Sequence, residues 1–221
     1  MRIAVLGTGE VGRALASGLA ALGHHITVGT RDVEATMASR EPESYSQWAV
    51  THPQIELATF TDAAATSTLI VNASKGTATL DVLQVAGEKN LADKILIEAS
   101  NPLNFDQGFP PTLTVKDTDS LAEQVQRAFP ATKVVKTLNT LANQLMAEPK
   151  RISGGDHTVF VSGNDADAKT TVTDILTALG HTDVLDLGDI TTARGTEMYL
   201  GLWTRLFQAM GTLDFNIKVM R

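Results

Sequence analysis

The stretch that decides the fold is the first twelve residues, MRIAVLGTGEVG, from Met1 to Gly12. Residues 3–6 form an uninterrupted apolar run, typical of a strand that is buried on both faces of a parallel sheet. The run ends in glycines with the spacing G-x-G-x-x-G, and apolar residues then recur with a helical period as far as Leu22. Strand, glycine turn and amphipathic helix in this order predict the first unit of a dinucleotide-binding fold.

The rest of the chain alternates in the same way. Apolar runs predict strands over 26–29, 55–59, 69–72, 95–99, 133–138, 159–162 and 184–187. Helical patterns cover 11–22, part of 32–54, 80–86, 121–129 and 166–179. Strands that alternate with helices indicate an α/β fold: a Rossmann-type, doubly wound, mostly parallel sheet with a short C-terminal helical segment. We expect a nucleotide-binding domain over 1–145 and a small C-terminal part over 146–221.

Composition excludes several classes of protein. The 221 residues include no Cys, which rules out disulfides, thiolate metal sites and a Cys nucleophile. The 18 Lys and Arg against 25 Asp and Glu give a net charge of −7, the wrong sign for a protein that coats nucleic acid. No apolar run reaches the roughly 20 residues that span a bilayer. The N-terminus has no signal-peptide pattern, so we expect a cytoplasmic protein with no membrane or nucleic-acid partner.

The segment 197–219 has apolar residues on every side of a predicted helix. A helix of this kind has to be buried, either inside its own chain or against another subunit. Because a chain of this length has little room to enclose it, we expect a homodimer.

The glycine turn is predicted to bind a pyrophosphate. Gly7 permits the tight turn, Gly9 lets the backbone approach the phosphates, and Gly12 lets the helix pack close to the strand. The helix N-terminus adds partial positive charge.

The second strand ends at Thr30 and Arg31, and these residues select the dinucleotide. NAD-binding proteins place a carboxylate here for the ribose 2′-hydroxyl. An arginine can instead bind the 2′-phosphate of NADP and stack on adenine. The sequence therefore favours NADP(H), with a solvated Arg31 as the alternative.

Ligands in such sheets lie at the carboxyl ends of the strands. The residues that follow the strands are therefore site candidates: Gly7, Thr8, Gly9, Glu10, Val11, Thr30, Arg31, Ala73, Ser74, Lys75, Ser100, Asn101, Asn139, Thr140 and Leu141. They include no carboxylate pair and no metal-binding cluster, and we interpret the five His as surface residues. The pattern favours a reaction in which the protein orients two small molecules, such as direct hydride transfer between stacked rings.

Several of these motifs together resemble one family. They are Gly7–Gly12, Thr30-Arg31, Asn139-Thr140-Leu141-Ala142, Thr192-Ala193-Arg194 with Glu197, and the ending Gly211–Val219. The resemblance is to the NADP oxidoreductases that use the deazaflavin coenzyme F-420. It implies that the glycine turn holds the pyrophosphate, that Ala73 and Ser74 line the nicotinamide, and that Asn139 to Ala142 lie where the two rings meet. It also implies an acceptor pocket and a dimer contact in the C-terminal part.

The hydride acceptor is the open question. Coenzyme F-420 is the leading candidate for the acceptor. The alternatives are a flavin, a small carbonyl or imine substrate, or a non-catalytic role as an NADP-binding redox sensor. Because F-420 is anionic and the chain is acidic, we expect local cations, Arg194 and Lys136, to meet its tail. The alternative for Arg194 is helix capping or pairing with Glu197.

Overall fold

The computed structural model describes residues 1–221. Its strands are β1 (Arg2–Leu6), β2 (His25–Thr30), β3 (Glu56–Thr59), β4 (Leu69–Asn72), β5 (Ile95–Glu98), β6 (Leu103–Asn104), β7 (Thr112–Leu113), β8 (Lys133–Thr137), β9 (Thr158–Gly163) and β10 (Asp183–Asp186). Its α-helices are α1 (Glu10–Ala21), α2 (Val33–Ala38), α3 (Tyr45–Val50), α4 (Phe60–Thr66), α5 (Thr79–Ala86), α6 (Glu88–Leu91), α7 (Leu121–Ala128), α8 (Asn143–Ala147), α9 (Ala166–Leu179), α10 (Ala193–Met198) and α11 (Leu200–Met210).

Eight strands form one sheet in the order β3-β2-β1-β4-β5-β8-β9-β10, while β6 and β7 form a separate hairpin. The pairs from β3 to β8 are parallel, and their order reverses beside β1. Parallel strands with helices on both faces confirm the predicted doubly wound fold.

The junction between β8 and β9 is antiparallel, with Val135 opposite Gly163 and Thr137 opposite Val161. The connection from β8 carries only the five-residue helix α8 and short helical turns. A parallel return would need a longer crossover helix. The chain therefore stays at the carboxyl edge of the parallel strands and re-enters the sheet in the opposite direction. β10 follows β9 in parallel.

The helices cover both faces, and successive residues of β1 point to opposite sides. Ile3 and Val5 enter a core of 25 buried residues, which also contains side chains of α1, α8 and α9. Ala4 and Leu6 enter a second core of 18 residues, which contains side chains of α4, α5 and α7. Because the first core includes residues on both sides of position 145, the C-terminal part extends the same sheet and core.

The C-terminal segment departs from the prediction. The expected continuous helix over 197–219 is replaced by α10 and α11, and α11 ends at Met210 because Gly211 adopts a left-handed conformation (φ 66°). The residues after Gly211 are not helical and run beside β9, where the Thr158 amide donates to the Ile217 carbonyl (3.0 Å). None of the helices is long and apolar enough to cross a membrane.

Candidate functional site

A cleft of about 960 Å³ opens at the carboxyl edge of the parallel strands. Its lining comes from the glycine turn, the ends of β4, β5 and β8, the hairpin, and the helices α8 and α11. The predicted site residues in the lining are Gly9, Glu10, Val11, Ala73, Ser74, Lys75, Ser100, Asn101, Asn139, Leu141 and Ala142. The structure thus brings together candidates from four separate loops. The predicted residues that are not part of the lining are Gly7, Thr8, Gly12, Thr30, Arg31, Thr140 and Arg194.

The three glycines of the turn have different surroundings. A Cβ on Gly7 (φ 131°) would come within 2.6 Å of the Ala73 carbonyl oxygen, and a Cβ on Gly12 would overlap the Gly7 carbonyl. Both glycines are therefore required by the fold. A Cβ on Gly9 would meet nothing within 4 Å, although Gly9 lines the cleft. Gly9 therefore borders open space, as a phosphate-binding turn requires.

The N-terminus of α1 is open at the same place. Gly9 is its N-cap residue, and no side chain caps this end of the helix. The first-turn amides of a helix lack backbone partners within the helix and attract anions. Turn and helix together form a cradle that fits a pyrophosphate.

The end of β2 contains one free cation. Arg31 is exposed, and no carboxylate lies within ion-pair distance of its guanidinium. Thr30 is buried and its hydroxyl bonds to that of Thr36 (2.8 Å). The next carboxylate, Asp32, accepts from the Ala35 amide (2.9 Å) and so caps α2. Arg31 is thus available to an anionic ligand, and Asp32 is already engaged.

A buried polar network supports the middle of the cleft. The Ser74 hydroxyl donates to Asn72 Oδ1 (2.7 Å), and Asn72 Nδ2 donates to Glu98 Oε1 (3.1 Å). Both the amide and the hydroxyl of Ser100 donate to Glu98. These contacts hold the two cleft loops after β4 and β5 at a set separation.

Asn101 and Asn139 form a reciprocal pair across the cleft floor. Asn101 Nδ2 donates to the Asn139 carbonyl (2.7 Å), and Asn139 Nδ2 donates to Asn101 Oδ1 (3.0 Å). Asn139 Nδ2 also donates to the Thr196 carbonyl (3.1 Å). The pair thus ties the loop after β5 to the loop after β8 and to α10.

The environment of Lys136 corrects the expectation that it meets an acceptor tail. Its side chain is 1% exposed, and its Nζ contacts Glu98, Glu197 Oε1 (2.8 Å) and the Ser100 carbonyl (2.7 Å). Burial alone would lower the pKa of Lys136, but the charges of Glu197 and Glu98 outweigh it and raise that pKa. Lys136 is a permanently charged structural cation beneath the cleft.

The alternative interpretation paired Arg194 with Glu197. In the structure, Arg194 pairs with Glu123. Its Nε lies 2.8 Å from Oε2 and its Nη2 2.5 Å from Oε1 of Glu123. Glu197 instead accepts the amides of Leu121 (2.8 Å) and Ala122 (3.1 Å) at the start of α7. The hydrogen bonds from Arg194 hold the pKa of Glu123 below its usual range.

One end of the cleft was not predicted in detail. Residues 103–106 of the loop after β5 line this end, with Phe105 57% exposed. Met146, Leu200, Trp203 and Leu213 complete this largely apolar end. The Trp203 ring packs against Phe215 (centroids 5.3 Å apart) and is nearly parallel to Phe207 (6.0 Å). The sequence signal available for Phe105 was an aromatic side chain in a Pro- and Gly-rich loop. The four apolar residues are brought together only by the fold, and no local pattern predicts that they meet.

Two histidines correct the expectation that all five lie at the surface. His157 and His181 are 3% and 1% exposed and stack edge-on, with centroids 5.9 Å apart. The Nε2 atoms lie 3.1 Å from the carbonyls of Pro149 and Met146 respectively. Burial lowers the pKa of His181 to about 4. Neither ring lines the cleft.

Comparison with known proteins gives consistent matches. The model of the family described as NADP oxidoreductase, coenzyme F-420-dependent, matches residues 2–102. A crystal structure from Arthrobacter sp. FB24, described as a candidate F-420-dependent NADP reductase, is 56% identical over 100% of both chains with a TM-score of 0.97.

Two further matches are more distant. The metalloreductase STEAP3 of Rattus norvegicus is 29% identical over 197 residues, 89% of this chain, and this chain spans only 36% of that protein. An imine reductase from Aspergillus terreus, solved in complex with NADPH4 and dibenz[c,e]azepine, is 18% identical with a TM-score of 0.65, over 95% of this chain and 62% of that one. The full-length match and the family model confirm the resemblance in the sequence: the chain belongs to the family of coenzyme F-420-dependent NADP oxidoreductases.

Proposed function

We propose that the protein transfers a hydride between NADP(H) and a second ring compound, most directly the deazaflavin coenzyme F-420. The observation that carries the proposal is the continuity of the cleft: an open phosphate cradle at Gly9 leads directly into an apolar, aromatic end at Leu200 and Trp203. One ligand with phosphates and one with a flat ring fit this arrangement.

Named residues account for each part of NADP(H). The turn from Gly7 to Gly12 and the N-terminus of α1 would hold the pyrophosphate. Arg31, which has no partner in the protein, would bind the 2′-phosphate. Ala73, Ser74 and Lys75 would lie along the nicotinamide half, with Ser100 and Asn101 opposite.

When bound, NADPH would supply a hydride, which carries two electrons and one proton. The acceptor would take up a second proton from solvent. The protein contributes orientation. The reciprocal pair of Asn101 and Asn139 holds the floor where the two rings would meet, and Leu141 with Ala142 supplies apolar contact. Alignment of this kind converts an encounter of two molecules into a step within one complex, and no acid or base from the chain is needed.

The acceptor end supports a planar, weakly polar ring. Its charged residues are few: Glu10, Lys75 and Asp106 are the charged side chains in the whole lining. Lys75 is exposed and is the one cationic side chain of the lining, so it would be available to an anionic tail. Reduction of a flavin or a small imine is the second candidate, since the apolar lining would also accept these rings.

The decisive experiment is a turnover assay with NADPH and purified oxidised F-420, with riboflavin and a cyclic imine as rival acceptors. We expect NADPH-dependent loss of F-420 absorbance, in excess of the rate with either rival. Tight NADPH binding without turnover of any acceptor would contradict an enzymatic role and favour a sensor.

We also propose that the chain acts as a homodimer whose contact includes α11. Leu202 and Met210 on this helix are 56% and 53% exposed, and Met198 just before it is 39% exposed. Exposed apolar side chains grouped on neighbouring helices are typical of an association surface.

A further inference from the structure

The charge of the ion cluster beneath the cleft follows from its hydrogen bonds. Glu98 is fully buried, and its oxygens accept from Asn72 Nδ2 (3.1 Å), the Ser100 amide (3.0 Å), the Ser100 hydroxyl and Lys136 Nζ. The two amides and the ammonium can only donate, and the Ser100 hydroxyl also has a proton to donate, so only a carboxylate accepts from all four groups. Glu98 is therefore a carboxylate.

Glu197 has the same kind of surroundings. It accepts from the amides of Leu121 and Ala122 and from Lys136, and it is 1% exposed. Lys136 has three N–H groups and three acceptors, so it is an ammonium with no proton to spare. Two carboxylates and one ammonium leave the cluster with a net charge of −1.

This surplus charge lies directly behind the wall of the cleft. Ser100 lines the cleft, while its amide and hydroxyl bond to Glu98 and its carbonyl bonds to Lys136. The amides at the start of α7 reduce the surplus charge but, at about half an elementary charge, do not cancel it. Since buried charges are weakly screened, the field of the cluster extends into the cleft.

We propose that this cluster, through Glu98, tunes the bound nicotinamide toward hydride donation. The inference rests on the proposed function, which places the nicotinamide beside Ser100. The oxidised ring is positively charged and the reduced ring is neutral, so a negative charge behind Ser100 stabilises NADP⁺ more than NADPH. NADPH on the protein then becomes a stronger reductant, and the reaction is biased toward reduction of the acceptor.

The test compares binding of the two redox forms, with no turnover involved. Dissociation constants for NADP⁺ and NADPH are measured by calorimetry on the wild-type chain and on Glu98→Gln, in which the cluster is neutral. We expect the ratio of Kd for NADP⁺ to Kd for NADPH to rise about tenfold, equivalent to about 30 mV in the bound couple. The fragment 2′-phospho-ADP-ribose, which lacks the nicotinamide, should bind both proteins equally.

A matched variant separates charge from structure. Glu98→Gln with Lys136→Met removes the ion pair but keeps the net charge of −1 on Glu197, so its ratio should stay within about twofold of the wild type. If Glu98→Gln does not fold, Glu197→Gln neutralises the cluster from the other side of Lys136 and should raise the ratio in the same direction.

Two results would overturn the inference while leaving the proposed function intact. One is a neutral variant that binds both forms with an unchanged ratio. The other is a double variant whose ratio shifts as far as that of the single variant. Failure of the wild type to bind either dinucleotide would instead overturn the proposed function itself.

Discussion

Arg194 on α10 grips Glu123 on α7 through two hydrogen bonds, Nε to Oε2 at 2.8 Å and Nη2 to Oε1 at 2.5 Å. The same carboxylate accepts from Ser120, the N-cap residue of α7. The ion pair thus joins two helices. Because its guanidinium is engaged with Glu123, Arg194 is not free to bind a ligand.

Replacement of Arg194 by Ala should therefore affect stability more than substrate binding. Glu123 would lose its charge-assisted partner, and we expect the melting temperature to fall by a few degrees. The KM for the acceptor should stay unchanged at low and at high salt. A salt-dependent rise of that KM would restore the sequence-based expectation that Arg194 binds an anionic tail.

Gly9→Val should abolish NADPH binding while the fold survives. The backbone of Gly9 has φ −73°, which any residue adopts, and the added side chain would occupy the open space of the cradle. Calorimetry with NADPH and circular dichroism would test both parts. Gly12→Val is the matched contrast: its Cβ would overlap the Gly7 carbonyl, so it should disturb folding itself.

Arg31→Ala should weaken NADPH binding by about 1.5–3 kcal/mol, the scale of a hydrogen bond to a charged group. NADH lacks the 2′-phosphate, so its affinity should barely change. Titration of both dinucleotides into both proteins measures the difference. An equal loss of affinity for the two dinucleotides would show that Arg31 does not bind the 2′-phosphate.

The stability of the protein should fall as the pH drops from 7 to 5. The pKa of His181 is lowered to about 4 by burial, against an ordinary value near 6.5, so the unfolded chain binds the proton first. Stability is thus complete above pH 6.5 and declines toward pH 4, by about 2 kcal/mol at pH 5. Urea unfolding of wild type and His181→Gln should show a smaller pH dependence in the variant, whereas the exposed His25→Gln should behave as wild type.

Leu202→Asp should dissociate the proposed homodimer without unfolding the chain. Leu202 is 56% exposed, so the carboxylate is costly only where a partner covers it. Trp203 is a poorer probe because it packs within its own chain against Phe207 and Phe215. Light scattering on both proteins gives the result, and a monomeric wild type would contradict the dimer.

Local patterns alone predicted the nucleotide-binding half of the molecule. The strand β4, the helix α1 and the glycine turn follow from apolar periodicity and from glycine spacing, which report burial and backbone freedom at short range. The helix α4 was not predicted, because its sequence, FTDAAAT, has too few large apolar residues to show a helical period.

The loops at the ends of the parallel strands could be ranked as site candidates because topology alone places those ends at one edge. The antiparallel entry of β9 could not be predicted, since it depends on where the chain after β8 packs and not on any residue of β9.

The sequence by itself determined the parallel part of the sheet, the glycine turn around Gly9 and the position of Arg31 at the end of β2. Each depends on a few neighbouring residues and on rules of backbone geometry. Only the tertiary structure decided the partners of the charges: Lys136 lies between Glu98 and Glu197, 38 and 61 positions away along the chain, and Arg194 lies against Glu123. An ion pair depends on distance in space and on burial, and neither quantity is encoded in the spacing of residues along the chain.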